Sequence, residues 1–290
     1  MTKKLIRAFP GFQPDFKLSD KGVIKIGRPF KNIIEPFDSK VEIPDYLSLV
    51  DHDFSLGKKE YEKAIAKEEA KLSLLVRRLK ELKMSVIIVF QGRDAAGKSG
   101  ATKRIVEGLD WDWRILGVVP VGAPNEEERN QPYLLRFFEK DRMPGFGEVR
   151  VFDRGWPEDV LVVPVMKLAS KVHVENSYAE INSMEWLLRR SRSVVVKIWL
   201  DITKDEQKKR FDDREADPQK RHKYQESDRI AREKWDDYSM WGNRMMYWNG
   251  SEHAPWYLVP ANDKRYSRVT CLRTINNAIA EEIKNPFRAI

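Results

Sequence analysis

Cysteine is almost absent: Cys271 is the single thiol in 290 residues. One thiol cannot close an internal disulfide, and such a chain suits a reducing compartment, so a cytoplasmic location is expected. Histidine is scarce as well. His52, His173, His222 and His253 lie far apart and, with one cysteine, give no zinc-ligand spacing. Long apolar runs are missing; the cleanest, such as Val86–Phe90, are strand-sized and cannot cross a bilayer. The opening MTKKLIRAFPGF has basic residues with no apolar stretch behind them, so no secretory leader is expected. No segment repeats at a fixed period.

What is plentiful is charge. Fifty-three basic and 45 acidic residues leave a net charge of +8. That excess points to an anionic partner: a nucleic acid, a membrane face, a nucleotide or another polyanion. The length fits one large domain, with or without an appended arm, and is enough to bury a core without covalent staples.

Residues 1–57 mix proline, aspartate, lysine and aromatics without a clean period and read as an N-terminal arm packed on the body. From Lys58 to Leu82 apolar residues recur at steps of three and four, as in an amphipathic helix. Strand-like and helix-like stretches then alternate through residues 58–290. The strands expected are Val86–Phe90, Arg114–Pro120, Glu148–Phe152, Val194–Leu200 and Trp256–Pro260. The helices expected are Lys98–Leu109, Glu126–Lys140, Tyr178–Arg190, Lys204–Arg214, Glu226–Tyr247 and Tyr266–Ile283. This alternation predicts an α/β fold, with a mostly parallel sheet covered by helices on both faces. Among the nine tryptophans, Trp235 and Trp256 are the expected core anchors.

Gly92-Arg93-Asp94-Ala95-Ala96-Gly97-Lys98-Ser99 satisfies G-x-x-x-x-G-K-[ST] between a strand and a helix, with Gly100 following. Glycines let backbone N–H groups turn around phosphate oxygens, and the helix N-terminus adds its positive dipole end. Lys98 supplies a cation for the phosphate in transfer. Asp94 is unusual, because a carboxylate inside a phosphate cradle repels the ligand unless a cation intervenes; it reads as a metal ligand or a base. The strand expected at Glu148–Phe152 runs into Asp153-Arg154. Such an acid beside a phosphate loop can hold magnesium, and Arg154 can neutralise phosphate oxygens. Gln207–Tyr224 is dense in cations. Arg210 and Arg214 share a helix face, and Lys220, Arg221 and Lys223 follow the break at Asp217-Pro218. In phosphate-loop kinases a segment of this kind closes arginines over the phosphates, so residues 204–225 read as a lid.

At these residues the sequence resembles the polyphosphate kinase 2 family of P-loop phosphotransferases, from about Lys58 to Ile283. The likeness covers Gly92–Gly100 with its internal Asp94, Phe152-Asp153-Arg154, Arg210-Phe211 through Arg214, Asp217-Pro218 and Lys223. It continues through Lys234–Tyr238, Ala254-Pro255-Trp256 and Asn262–Arg265 with Arg268. The resemblance implies a P-loop kinase-like α/β/α fold with a helical lid, and phosphoryl transfer between inorganic polyphosphate and an adenine or guanine nucleotide. It implies Mg2+ (or Mn2+) as cofactor, with Asp94 and Asp153 as its ligands. Family members often carry Asp-Arg-Ser-x-Tyr after the third strand; here Gly155 and Pro157 replace serine and tyrosine. Lys220–Lys223, Asp228–Tyr238 and Ala179–Asn182 are similar to the branch that uses AMP, so AMP, giving ADP, is the expected acceptor. A homo-oligomer is expected, with neither nucleic acid nor membrane as partner.

Other readings of the same residues are a nucleoside diphosphate acceptor, an ATP-dependent nucleoside monophosphate kinase, and a basic nucleic-acid-binding protein. The spread of basic residues exceeds the needs of one triphosphate and favours polyphosphate over ATP as donor. Nucleic-acid binding has no need of Asp94 and Asp153.

Overall fold

The structure is a computed structural model and describes residues 16–29, 40–110, 112–139, 141–217 and 226–286. Its strands form one seven-stranded sheet in the order β1-β2-β7-β6-β3-β5-β4. The strands are β1 (Phe16–Leu18), β2 (Ile24–Ile26), β3 (Ser85–Gly92), β4 (Leu116–Pro120), β5 (Val149–Asp153), β6 (Ser193–Asp201) and β7 (Trp256–Pro260). β3 to β7 are parallel; β2 pairs antiparallel with β7, and β1 antiparallel with β2, extending the sheet. Part of the N-terminal stretch is thus woven into the sheet.

The helices are α1 (Lys58–Leu79), α2 (Lys98–Gly108), α3 (Glu126–Arg129), α4 (Glu158–Val165), α5 (Lys171–Arg190), α6 (Lys204–Ala216), α7 (Glu226–Glu233), α8 (Trp235–Asn249) and α9 (Lys264–Lys284). Two apolar clusters lie on opposite faces of the sheet, because alternate residues of a strand point to opposite sides. Ile88 and Phe90 meet α1, α2 and α9 on one face; Ile87 and Val89 meet α4, α5 and α8 on the other. The central β6 is buried throughout and β3 as far as Gln91, as their apolar runs require.

Three local expectations are corrected. Glu126–Lys140 is not one helix: α3 ends at Arg129, and a 3-10 turn at Tyr133–Phe137 begins after Pro132, whose ring removes an N–H. Glu226–Tyr247 is two helices, divided at Lys234, where the backbone leaves helical geometry and Nζ donates to the Val165 carbonyl. α4 was not expected at all. Trp256 is fully buried, whereas Trp235 is only partly buried.

Candidate phosphate-transfer site

Parallel sheets gather ligands at the carboxyl ends of their strands, and Asp94, Lys98, Ser99, Asp153, Arg154 and Arg214 of the predicted site residues meet there. β3 runs into the loop through Gly92 at φ +134°; a Cβ at this position would sit 2.2 Å from the Leu200 carbonyl oxygen, so only glycine fits. Arg93 N–H donates to that same carbonyl, Ala96 N–H donates to Arg93 O, and Gly97 at φ +106° opens α2. Lys98 Nζ folds back over the loop, donating to Gly92 O at 3.1 Å and Arg93 O at 3.3 Å, with Asp94 Oδ1 at 3.9 Å.

β5 lies beside β3, with Asp153 opposite Phe90, so the second acid arrives at the mouth of the loop. Arg154 has φ +72° and is pinned by its N–H to Phe90 O at 2.9 Å. Its guanidinium reaches Asp94 at 3.5 Å and Glu158 at 3.6 Å. The Trp156 that follows is wholly buried against Phe137 and Phe152, and its indole N–H donates to Glu185 at 2.9 Å. This anchor holds the Gly155-Trp156-Pro157 turn.

An open cradle of about 430 Å3 joins Asp94, Lys98, Ser99, Asp153, Arg154 and Arg214. Its far wall comes from the first turn of α9, through Lys264, Ser267 and Arg268. Gly100 serves that wall: a Cβ there would lie 3.2 Å from Arg268 Nη2, so its absence lets the guanidinium cross the start of α2. Burial, and then the nearby Arg210 and Arg268 charges, hold the Lys264 ammonium below its ordinary range, with Glu206 and Asp213 opposing the shift. On the other side of Asp94 and Arg154 lies a narrow slot of about 20 Å3, bordered by Gln91, Glu158, Leu161, Val162 and Tyr238. Burial raises the Glu158 carboxyl, only partly offset by Arg154 and by the 2.7 Å hydrogen bond from Gln91. Tyr238, desolvated and facing Asp94 and Glu158, is held well above the usual phenol range.

Two expected phosphate ligands are oriented otherwise. The Arg93 side chain is buried and turned away from the cradle. It stacks on Trp235 at 3.8 Å, donates to Trp235 O and Ser239 Oγ, and sits 3.4 Å from Asp201. Desolvation lowers its basicity and Asp201 opposes the shift. Arg210 is buried beneath the loop, donating to the carbonyls of Ala95, Ala96, Ala261 and Asn262 and to Glu206. An arginine beside a phosphate loop can satisfy itself within the protein as well as on phosphate: Arg210 does so on backbone carbonyls, and Arg93 on an indole face, a hydroxyl, a carbonyl and a carboxylate. Lys220, Arg221 and Lys223, and the part of the expected lid from 218 to 225, lie outside the described residues.

Sequence reasoning assigned no role to Glu158, Tyr238, Lys264 or Arg268. The signal for the last two was present: cations four apart directly after Asp263, which caps α9 by accepting from Tyr266 N–H. The Asp94 and Asp153 carboxylates suit a divalent cation. Among the described residues the Asp153 carboxylate receives neither a hydrogen bond nor an ion pair, and the contacts of the Asp94 carboxylate with Lys98 and Arg154 are longer than hydrogen bonds. No helix among the described residues is long and apolar enough to cross a membrane.

Comparison with known proteins agrees with this geometry. The profile of the family described as Polyphosphate kinase 2 (PPK2) matches residues 55–286. A Pseudomonas aeruginosa protein named Polyphosphate:AMP phosphotransferase is 41% identical over 249 residues, 86% of this chain and 49% of that protein. The chain therefore spans about half the length of this relative. A Rhizobium meliloti protein named ADP-polyphosphate phosphotransferase 2 is 34% identical, over 76% of this chain and 71% of its own. The crystal structure of Polyphosphate Kinase 2 from Arthrobacter aurescens TC1 superposes with a TM-score of 0.77 at 29% identity, covering 91% of this chain and 94% of that one. With a strand–loop–helix phosphate cradle, a second acid at the adjacent strand end and a family match over most of its length, the chain belongs to the polyphosphate kinase 2 family.

Proposed function

We propose that this chain moves the terminal phosphoryl group of inorganic polyphosphate onto a nucleotide, with AMP as the preferred acceptor and ADP as product. One observation carries the reading: the cradle faces Lys98 and Arg154 with a second cationic wall of Arg214, Lys264 and Arg268, more positive charge than a short phosphate chain would meet. The acceptor follows the relatives. The one at 41% identity is named for AMP, and the one at 34% for ADP.

In this reading a phosphate oxygen of the acceptor attacks the terminal phosphorus of polyphosphate. The bridging P–O bond breaks and leaves a chain one unit shorter. The transition state is loose, so positioning and charge do most of the work. Lys98 exchanges its contacts with Gly92 O and Arg93 O for phosphate oxygens. Arg154 swings between the cradle and the slot, because both its carboxylate partners lie beyond hydrogen-bonding distance. Asp94 and Asp153 would hold Mg2+ or Mn2+, which would neutralise charge on the phosphates.

The test is an assay with polyphosphate and each of AMP, ADP, GMP and GDP, with and without chelator. AMP should be converted fastest, chelator should abolish turnover, and Lys98→Ala should lower kcat by roughly 10²–10³. Faster conversion of ADP to ATP than of AMP to ADP refutes the acceptor. A lack of polyphosphate-dependent transfer to all four refutes the function.

A further inference from the structure

An arginine guanidinium has five N–H donors. In Arg210 all five are spent. Nε donates to Glu206 Oε1 at 2.6 Å. Nη1 donates to Ala95 O at 2.9 Å and Ala96 O at 3.1 Å. Nη2 donates to Ala261 O at 2.7 Å and Asn262 O at 2.8 Å. One turn away on α6, the buried Gln207 donates from Nε2 to Asp94 O at 3.0 Å. The carbonyls of three consecutive loop residues are therefore gripped from behind.

The grip has a geometric consequence. In a trans peptide the carbonyl of one residue points opposite to the N–H of the next. Among the described residues every peptide is trans. Holding Asp94 O and Ala96 O against α6 directs the N–H groups of Ala95 and Gly97 the other way, and both residues line the cradle. Ala95 is kept at φ +63°, a conformation its side chain disfavours and which needs outside support. The second half of the same guanidinium fixes the turn at Ala261 and Asn262, directly before the α9 turn that carries Lys264 and Arg268. Asn262 Oδ1 in turn accepts from Thr203 N–H, where Thr203 caps α6.

We propose that Arg210, assisted by Gln207, is a positioning residue that locks together the two walls of the phosphate cradle and aims its amides, rather than a residue that touches phosphate. The inference rests on the function proposed above, but its first readout does not depend on activity. Lysine offers three donors from one point and cannot reproduce a five-way planar fork. Arg210→Lys should therefore loosen the loop while keeping the charge.

The experiment compares Arg210→Lys, Gln207→Met and the double variant with the parent chain. Amide hydrogen exchange of residues 93–99 is measured without nucleotide or polyphosphate, followed by kcat and the KM for polyphosphate. Exchange in Arg210→Lys should quicken roughly tenfold or more. Its kcat should fall about 10–100-fold, the scale of a small misplacement in a phosphate site. Its polyphosphate KM should change less than about threefold. Gln207→Met, which removes a donor that lies behind the loop, should shift exchange and kcat in the same direction. The double variant should lose less than the product of the single losses. Unchanged exchange together with a loss confined to the polyphosphate KM would make Arg210 a phosphate ligand and overturn the proposal. Parental kcat and exchange in Gln207→Met would also overturn it. Should the parent transfer nothing from polyphosphate, the function falls, while the exchange comparison still decides whether Arg210 and Gln207 hold the loop.

Discussion

Lys197→Met should cost this protein a large part of its stability. Lys197 sits in the middle of β6 and is completely buried. Its ammonium donates to both oxygens of Glu185, at 2.8 and 2.7 Å, and to the Asn249 carbonyl. Glu185 also receives the Trp156 indole N–H. Removing the lysine leaves a buried carboxylate with one neutral donor, a loss of about 3–5 kcal/mol. For a domain of this size each kcal/mol moves the melting point by about 2–4 °C, so a fall of about 6–20 °C is expected. The pH dependence follows from the carboxyl. Burial already raises Glu185 above its ordinary 4.5, with Lys197 opposing that rise. Without Lys197 the folded state binds the proton more readily than the unfolded one. The deficit should therefore be least near the unfolded value and grow as pH rises toward the folded value, so melts at about pH 5 should show a smaller loss than melts at about pH 8. Lys197→Met combined with Glu185→Leu removes both charges; beyond the Asn249 carbonyl that the single variant already leaves without its donor, it strands the Trp156 N–H, a further cost of about 1–3 kcal/mol in place of the buried charge. The double variant should melt above the single one. A single variant within about 2 °C of the parent at pH 8, or a double variant no better than the single, refutes the reasoning.

Lys264→Met and Arg268→Met should each raise the polyphosphate KM, leave the acceptor KM in place and flatten the salt dependence of donor binding by roughly one unit of log–log slope; an unchanged slope removes the α9 wall from the donor track. Glu158→Gln should slow turnover yet stabilise the fold, because a carboxyl whose folded value is raised by burial costs stability once ionised. The gain in melting temperature should be present above about pH 6 and fade toward about pH 4, and the opposite trend would place the Glu158 charge among the stabilising ones.

Much of this was legible before any coordinates. The Gly92–Ser99 loop announces itself because the strand before it, the glycines that permit positive φ and the helix after it are all written in consecutive residues. Asp153 is legible for the same reason: an apolar strand ends and an acid-basic pair follows. Five of the seven strands among the described residues are legible in the pattern; Phe16–Leu18 and Ile24–Ile26 are too short to show a period, Ile24–Ile26 being held by pairing with Trp256–Leu258 far away in the chain and Phe16–Leu18 by pairing with Ile24–Ile26. Glu158 was hidden in α4, an eight-residue helix whose apolar run, interrupted by Pro164, carries little periodicity.

The direction in which a side chain spends its donors is the part that pattern does not encode. Arg93 and Arg154 lie next to two phosphate-site acids, and Arg210 lies on a cationic helix, so all three look alike in sequence. In the fold Arg154 keeps loose contacts of 3.5 and 3.6 Å and remains open to the cradle. Arg210 is consumed by carbonyls of Ala95, Ala96, Ala261 and Asn262, and Arg93 by Trp235, Ser239 and Asp201. What separates them is the supply of internal partners within reach, which for Arg93 are the Trp235 ring and carbonyl, Ser239 and Asp201, and for Arg210 are unsatisfied backbone carbonyls. Tight loops such as 93–97 and turns such as 261–263 leave carbonyls that no helix or sheet satisfies, and burying them unpaired costs free energy. A buried arginine beside such a loop is drawn to those carbonyls first. In the function proposed above, the cations that meet a polyanion are then those that line the open cradle: Lys98 and Arg154 on one side, and Arg214, Lys264 and Arg268 on the other.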